Sequence, residues 1–161
     1  MSSSDEHSLR WIWLAVLIVA LDQLTKFLIE PWLAGQPPLV VIPGFANLVL
    51  VYNTGAAFSL LSSASGWQRW LFTGLAVVIS ALIIYWLRKT PRGEWTTALP
   101  LAMILGGAMG NLIDRLRFGH VIDFVDLYYG DWHWPAFNVA DASISVGAVV
   151  FILVGLFQRR T

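Results

Sequence analysis

Two aspartates in the C-terminal third of the chain have the apolar setting that acid–base chemistry requires. Asp123 lies between Val-Ile and Phe-Val, and Asp141 lies close to the start of a long apolar run. Two carboxylates that share a site of low dielectric constant cannot both ionise easily, so the pair tends to hold one proton. The ionised carboxylate can take a proton from water while the protonated one activates a carbonyl oxygen. This chemistry suits peptide hydrolysis and needs no metal ion or other cofactor.

The residues around this pair also have a purely structural interpretation. Asp141 follows Asn138 by three residues, and Asn-x-x-Asp resembles a capping box, in which an acid in the first helical turn suits the helix dipole. Asp126 competes with Asp123 for the catalytic role, but its position predicts a solvated loop acid. Amides such as those of Asn53, Asn111 and Asn138 could hold a substrate backbone or orient the acids.

Metal catalysis is a weaker interpretation of the same segment. His120, Asp123 and Asp126 are spaced by three residues and could bind a metal ion together with His133. No compact signature such as His-Glu-x-x-His is present, and His120 is predicted to be an ordinary loop histidine.

The composition is that of an integral membrane protein. Of the 161 residues, 57% are hydrophobic and 12% are charged, whereas soluble domains average about 45–50% and about 25%. Ten basic and ten acidic residues cancel, so no nucleic-acid partner is indicated. The absence of cysteine excludes a thiol nucleophile, disulfides and thiolate metal sites. A Ser–His dyad that uses Ser59 or Ser62 would lack a nucleophile elbow.

Four apolar segments must position these residues, and we predict one membrane domain over residues 1–161. A transmembrane helix needs about 20 apolar residues. The two loops that join the segments on the outer side cover residues 30–66 and 114–138. The predicted spans are 11–29, 67–87, 97–113 and 139–157.

The two outer loops differ in their predicted structure. Residues 39–42 and 47–52 are β-rich but too short to span as helices, so they predict a small sheet on the membrane surface. The second loop is rich in aromatic and acidic residues, and its 128–134 segment could cap a substrate as a lid.

The basic residues predict the orientation of the chain. Arg10, the 88–92 loop and the Arg159-Arg160 tail fall on one side of the four-span arrangement and hold six of the ten basic residues. The positive-inside rule then places both termini in the cytoplasm, although Arg115 and Arg117 fall on the outer side. Asp114 and the two candidate catalytic aspartates would lie near the outer membrane boundary.

Two further features allow both a structural and a functional reading, and a third concerns helix packing. Asp22 and Lys26 lie on one helix face, either as an ion pair or with Asp22 supporting a site. Asn53 and the following Thr-Gly suit a sharp turn, or the Asn53 amide faces a ligand. Gly106 and Gly110 form a small-xxx-small pair that permits close helix approach.

Taken together, the sequence resembles the bacterial lipoprotein signal peptidases, also called signal peptidase II. Five blocks occur in the order that this family shows, along most of the chain. They are Asp22-Gln23-Leu24-Thr25-Lys26, Asn53-Thr54-Gly55-Ala56-Ala57-Phe58, Gly106-Gly107-Ala108-x-Gly110-Asn111-x-x-Asp114-Arg115, Val121-x-Asp123-Phe124 and Phe137-Asn138-x-Ala140-Asp141.

The resemblance implies an all-α integral membrane fold of four transmembrane helices, with a small extracytoplasmic β-cradle and a short periplasmic helix. It implies an aspartyl endopeptidase with Asp123 and Asp141 as the dyad. The enzyme would remove the signal peptide from diacylglyceryl-modified prolipoproteins by cleaving before the lipidated cysteine. The residues that the resemblance implies as substrate-binding or supporting are Asp22, Asn53, Asn111, Asp114, Arg115 and Asn138.

The same resemblance implies a monomer in the bacterial inner (cytoplasmic) membrane, with the active site near the periplasmic face. Membrane lipids and globomycin-type peptide inhibitors would be its other partners. The alternative from another class is a small proton-coupled transporter that uses Asp22, Asp114 and the two candidate catalytic aspartates as a relay.

Overall fold

The computed structural model describes residues 8–55 and 66–158, so Ser59, Ser62 and the Arg159-Arg160 tail lie outside the described part. Within it, four helices are long and apolar enough to cross a membrane. A short 3₁₀ helix, Ser8–Trp11, leads into the first of them. The four helices are α1 (Ile12–Leu33), α2 (Trp67–Lys89), α3 (Trp95–Arg117) and α4 (Val139–Gln158).

The helices continue beyond the predicted spans at the polar ends. The first predicted span stops at residue 29, whereas α1 continues to Leu33; the third stops at residue 113, whereas α3 continues to Arg117. In α3 the polar residues do not end the helix, because Asn111 and Asp114 are buried in the protein interior and hydrogen-bonded to other elements.

A four-stranded antiparallel sheet lies beside one end of the bundle, in the order β1-β2-β3-β4. The predicted β-rich segments are confirmed as its first two strands. The second predicted outer loop, residues 114–138, was expected to hold no strands, but β3 and β4 form a hairpin within it. The strands are β1 (Leu39–Ile42), β2 (Ala46–Asn53), β3 (Val121–Tyr129) and β4 (Trp132–His133).

The hairpin escapes a pattern-based prediction because β3 does not alternate cleanly between apolar and polar residues. Its first four residues are all buried, Asp123 among them. The strand is recognisable only from its pairing with β2, in which Val51 lies opposite Asp123 and Asn53 lies opposite Val121. The short outer helix that the resemblance implied is not among the helices of residues 8–55 and 66–158.

Helix α3 is the central element of the bundle and packs against α1, α2 and α4. In its most apolar stretch 61% of the residues are buried, against 17–22% in the other three helices. Glycines make this contact possible. A Cβ added at Gly106 would lie 2.8 Å from the Cβ of Ile18 on α1, and one at Gly107 would overlap the carbonyl oxygen of Ala140 on α4.

The outer faces of the helices are apolar, as expected of a surface that faces lipid. Trp13, Phe27, Trp70, Ile152 and Phe157 are more than half exposed. The buried polar side chains of α1, α3, β3 and α4 gather instead at the end of the bundle that carries the sheet. The candidate site lies there.

Candidate active site

The two candidate catalytic aspartates are brought together by pairing between β3 and the segment that leads into α4. Phe137 forms an antiparallel bridge with Val125. The backbone N–H groups of Phe124 and Val125 donate to the Phe137 carbonyl at 3.1 and 2.9 Å, and the Phe137 N–H donates back to Val125 at 3.0 Å. Asp123 therefore lies beside the start of α4, which carries Asp141.

Asn138 connects the two aspartates directly. Its Oδ1 accepts a hydrogen bond from the backbone N–H of Asp141 at 2.9 Å, and its own backbone N–H donates to Asp141 Oδ2 at 3.4 Å. These two bonds are the predicted capping box. Its Nδ2 also donates to Asp123 Oδ1 at 2.7 Å. The structural and functional readings of Asn138 are thus both supported by its contacts.

Two further asparagines donate to the aspartates from other elements. Asn111 on α3 donates from Nδ2 to Asp141 Oδ1 at 2.7 Å. Asn53 at the end of β2 donates from Nδ2 to Asp123 Oδ2 at 3.0 Å, while its Oδ1 accepts from the Gly55 N–H at 2.9 Å. Asn53 therefore forms the predicted turn and also contacts Asp123.

Asp123 has the electrostatic environment expected of a proton-sharing carboxyl group. The residue is 1% exposed. Burial, with a further contribution from the charge of Asp141, raises the pKa of Asp123 to about 7, against the opposing effect of donors from Asn53 and Asn138 and the charge of Lys26. Near neutral pH this carboxyl group can hold or release a proton.

A partly open cavity of about 290 Å³ adjoins Asp141. Most of its lining is apolar, and the polar side chains in it include Asn53, Asp141 and Ser145. The segment after β4 forms one wall with Trp134 and Phe137, so the predicted lid segment reaches the cavity. The lid function itself stays a prediction.

Behind the aspartates lies a buried ion cluster that the sequence indicated only in part. Lys26 Nζ lies 2.8 Å from Asp22 Oδ2, as the i,i+4 spacing predicted, and also 2.7 Å from Asp114 Oδ2. The two carboxylates also accept backbone hydrogen bonds, Asp22 from Ala140 at 3.0 Å and Asp114 from Ile122 at 3.2 Å. Asp22 and Asp114 thus each bind the backbone of the residue that precedes a candidate catalytic aspartate.

Lys26 and Gln23 contact the site but were not among the predicted site residues, although both lie in the first block that resembles the family. Gln23 Nε2 donates to Asp114 Oδ1 at 2.8 Å. A signal for Lys26 was present, because an ionisable side chain inside a membrane span usually faces a protein interior or a water-filled cavity. A glutamine has no such signal, since its role depends on which residue of α3 lies opposite.

Arg115 lies at the edge of the site and ties it to the first outer loop. Its Nη2 donates to the Gly55 carbonyl at 3.2 Å, and its guanidinium lies 5.5 Å from the ring of Phe72. Its charge is close enough to act on Asp141, Asp123 and Asp114. The arginine therefore supplies positive charge beside the carboxylates.

The prediction of Asp126 as a solvated loop acid is wrong. Asp126 is 7% exposed, in the middle of β3, where it accepts from Asn47 Nδ2 at 2.9 Å and contacts His133 Nδ1 at 2.8 Å. Residues three apart in a strand face opposite sides, so Asp126 and Asp123 belong to different clusters. Of the four residues of the metal interpretation, only Asp126 and His133 contact each other in the described part of the chain, where no group of three such side chains could hold a metal ion. The ring of His120 packs instead 4.6 Å from that of Tyr52.

A bundle of four helices long and apolar enough to cross a membrane, with two aspartates held by amides at one end, defines the class of multi-pass membrane proteins. The model of the signal peptidase (SPase) II family matches residues 14–157. The chain therefore belongs to the signal peptidase II family.

The relatives agree with that assignment over nearly the whole chain. A lipoprotein signal peptidase of Xanthomonas euvesicatoria is 51% identical over 96% of this chain and 90% of its own length. That of Pseudomonas syringae is 48% identical over 100% and 94%. A solved bacterial membrane enzyme superposes with a TM-score of 0.80 at 28% identity, over 100% of this chain and 95% of that one.

These findings do not favour the transporter alternative. A relay needs carboxylates at several membrane depths, whereas the ion cluster and the candidate pair share one hydrogen-bonded network at one end of the bundle.

Proposed function

We propose that this protein is an aspartyl endopeptidase that removes the signal peptide from diacylglyceryl-modified prolipoproteins, with Asp123 and Asp141 as its dyad. One observation carries the proposal: Asn138 caps the helix of Asp141 and donates to Asp123 at 2.7 Å, in a chain of the signal peptidase II family. The names of the relatives support the choice of prolipoproteins as substrates.

The dyad enters the reaction with one proton. The ionised carboxylate takes a proton from a water molecule, whose oxygen attacks the carbonyl carbon of the scissile amide. The protonated carboxyl group gives its proton to the carbonyl oxygen, and a tetrahedral diol forms. The carboxyl group that gained a proton from water then protonates the amide nitrogen, and the C–N bond breaks. The other carboxylate takes a proton from the diol, which becomes the new C-terminal carboxyl group of the signal peptide.

The surrounding amide side chains hold the two carboxyl groups in place while they exchange protons. Asn111 donates to Asp141 and Asn53 donates to Asp123, so each carboxylate keeps one fixed orientation while its protonation state changes. Hydrogen bonds to the ionised form stabilise it. They oppose the effect of burial, so that one carboxylate stays ionised in an apolar site.

The substrate's lipid is accommodated by the apolar cavity beside Asp141. The cavity lining includes Ala142 and Val146 on α4, and Val146 is 51% exposed on the side where lipid would lie. A diacylglyceryl group can stay in the bilayer while the peptide before its cysteine reaches the dyad. Cleavage immediately before the lipidated cysteine is part of the proposal and is compatible with this arrangement.

We place the protein as a single multi-pass domain in the bacterial inner membrane, with both termini cytoplasmic. The support is the basic end of the bundle, where Arg10 donates to the Arg92 carbonyl at 3.0 Å and Arg88 and Lys89 end α2. The positive-inside rule assigns that end to the cytoplasm. The dyad, at the opposite end, then lies near the periplasmic face.

Asparagine substitutions of the two aspartates test the dyad. The purified wild type, Asp123→Asn and Asp141→Asn would be assayed in detergent with a diacylated prolipoprotein, its unlipidated form and EDTA throughout. Glu94→Gln makes the same carboxylate-to-amide change at the far end of α3, where the Glu94 side chain makes no capping bond.

We expect the wild type and Glu94→Gln to cleave only the lipidated substrate, and both folded dyad variants to lose at least about 1,000-fold in rate, the scale on which catalytic groups act. Normal cleavage by either folded dyad variant would remove that aspartate from the mechanism. No cleavage by folded wild type would reject the peptidase.

A further inference from the structure

Lys26 is a buried cation on α1 for which the proposed reaction has no chemical step. Its side chain is 3% exposed, and it does not line the cavity beside Asp141. A charged group inside a protein is costly unless it is fully paired. Its retention at the back of an acidic site therefore needs an explanation from its contacts.

Three acceptor oxygens surround the Lys26 ammonium group. An ammonium group has three N–H donors and no acceptor. Lys26 Nζ has three acceptors within reach: Asp22 Oδ2 at 2.8 Å, Asp114 Oδ2 at 2.7 Å and Asn111 Oδ1 at 3.2 Å. Two carboxylates and one amide oxygen thus converge on one nitrogen.

The third contact determines which way the Asn111 amide faces. Because an ammonium can only donate, it selects the Oδ1 of Asn111, and the Nδ2 must then face the other side, where it donates to Asp141 at 2.7 Å. Asn111 Oδ1 also accepts from Asn138 Nδ2 at 3.2 Å, the same NH₂ group that donates to Asp123. The orientation of one amide thereby propagates to both aspartates.

The other two contacts hold the backbone around the dyad. Asp22 Oδ1 accepts from the Ala140 N–H, next to Asp141, and Asp114 Oδ2 accepts from the Ile122 N–H, next to Asp123. The ammonium fixes the oxygens of both acids. The start of α4 and the start of β3 are therefore tied to a single point on α1.

We propose that Lys26 is the positioning residue of the dyad: its two hydrogen bonds and its ion pair with Asp114 orient the Asn111 amide and fix the backbone next to each of the two aspartates. The proposal rests on the proposed function, since it concerns the geometry of that same pair. It assigns Lys26 a role in catalysis without contact with substrate. Its positive charge also opposes the rise that burial gives to the pKa of Asp123.

The test compares Lys26→Met and Lys26→Arg with Lys89→Met, which removes the chain's only other lysine at the exposed end of α2. Each variant would be purified in detergent and its folded fraction measured by size exclusion and thermal unfolding. Rates per folded enzyme would be measured from pH 5 to pH 9 with the diacylated prolipoprotein, alongside the wild type and Asp123→Asn.

For Lys26→Met we expect kcat to fall about 100-fold, the effect of misplacing a catalytic group by about 1 Å, with KM within about twofold of wild type. Its pH–rate profile should move to higher pH because a compensating cation is gone.

Lys26→Arg should keep the pH–rate profile of the wild type, since it keeps the charge. Its kcat should still fall about tenfold, since a planar guanidinium cannot donate to three diverging acceptors in the same way.

Wild-type kcat and an unshifted profile in folded Lys26→Met would overturn the proposal, and would show that the lysine serves stability alone. If Lys26→Met does not fold, wild-type kcat in Lys26→Arg would overturn it equally. A wild type that cleaves, with an inactive Asp123→Asn, shows that the dyad stands whatever the lysine variants do. A wild type that does not cleave rejects the peptidase function and this proposal with it.

Discussion

The hydrogen bond from Asn53 to Asp123 gives a prediction whose sign and size both follow from the structure. The Nδ2 of Asn53 lies 3.0 Å from Asp123 Oδ2 and lowers the pKa of that carboxyl group against the larger, opposite effect of burial. Asn53→Ala removes a donor that favours the ionised form. The pKa of Asp123, about 7 in the wild type, should therefore rise.

The magnitude follows from the strength of one such bond. A hydrogen bond to a charged group contributes about 1.5–3 kcal/mol, and about 1.4 kcal/mol corresponds to one pKa unit. Asn53 is only partly buried, so the lower end applies and we expect a rise of about one unit. Loss of the dyad's last proton ends activity at alkaline pH, so the basic limb of the kcat profile should move upward by about one unit.

The assay is the initial rate of prolipoprotein cleavage from pH 5 to pH 10, expressed per folded enzyme. For each enzyme the rate at pH 9 is divided by the rate at its own pH optimum. This ratio should be about tenfold larger for the variant than for the wild type, even though the maximal rate of the variant is lower. Asn47→Ala is the matched control, because Asn47 lies on the same strand and donates its Nδ2 to Asp126 at 2.9 Å. The reasoning is refuted if the limb of Asn53→Ala stays in place or moves down, or if Asn47→Ala moves it equally.

Two further predictions concern helix packing and orientation. Gly110→Ala would place a Cβ 2.6 Å from Asp22 Oδ2, so we expect a loss of about 1–3 kcal/mol in the free energy of unfolding and a fall of about tenfold in kcat. Gly74→Ala, whose added Cβ would have nothing within 4 Å, should lose neither stability nor kcat, and equal losses in the two variants would show that helix packing at Gly110 is not the cause. In this cysteine-free chain, Tyr129→Cys should react with an impermeant maleimide in intact spheroplasts and Gly93→Cys only after permeabilisation, and the reverse pattern would invert the proposed topology.

The features that the sequence determined by itself are those set by short-range physics. Apolar length fixes where a chain can cross a bilayer, and all four helices contain the predicted spans apart from a residue at the start of the first. The spacing of Asp22 and Lys26 fixed one ion pair, and the Asn138-x-x-Asp141 pattern fixed a capping box. Each depends on residues within one helical turn of each other.

Other features were outside the reach of any local pattern. The strand β3 was not predicted, because its burial comes from pairing with β2, about 70 residues earlier, as in the Asn53–Asp123 bond. Asp126 was predicted to be solvated for the same reason, since no residue near it in the chain indicates that Asn47 will be its hydrogen-bond partner. The apolar setting of Asp123 and Asp141, together with the family resemblance, supplied the candidate site residues but not the side chains that each of them contacts.

Only the tertiary structure decided how the site is held together. The contact of Lys26 with Asn111 joins residues 85 apart, and that of Asp22 with the Ala140 N–H joins residues 118 apart. Such bonds form because the glycines of α3 let α1 and α4 approach closely enough for buried polar groups to meet. In an apolar interior most donors and acceptors find a partner, and which partner each one finds is set by helix packing rather than by distance along the chain.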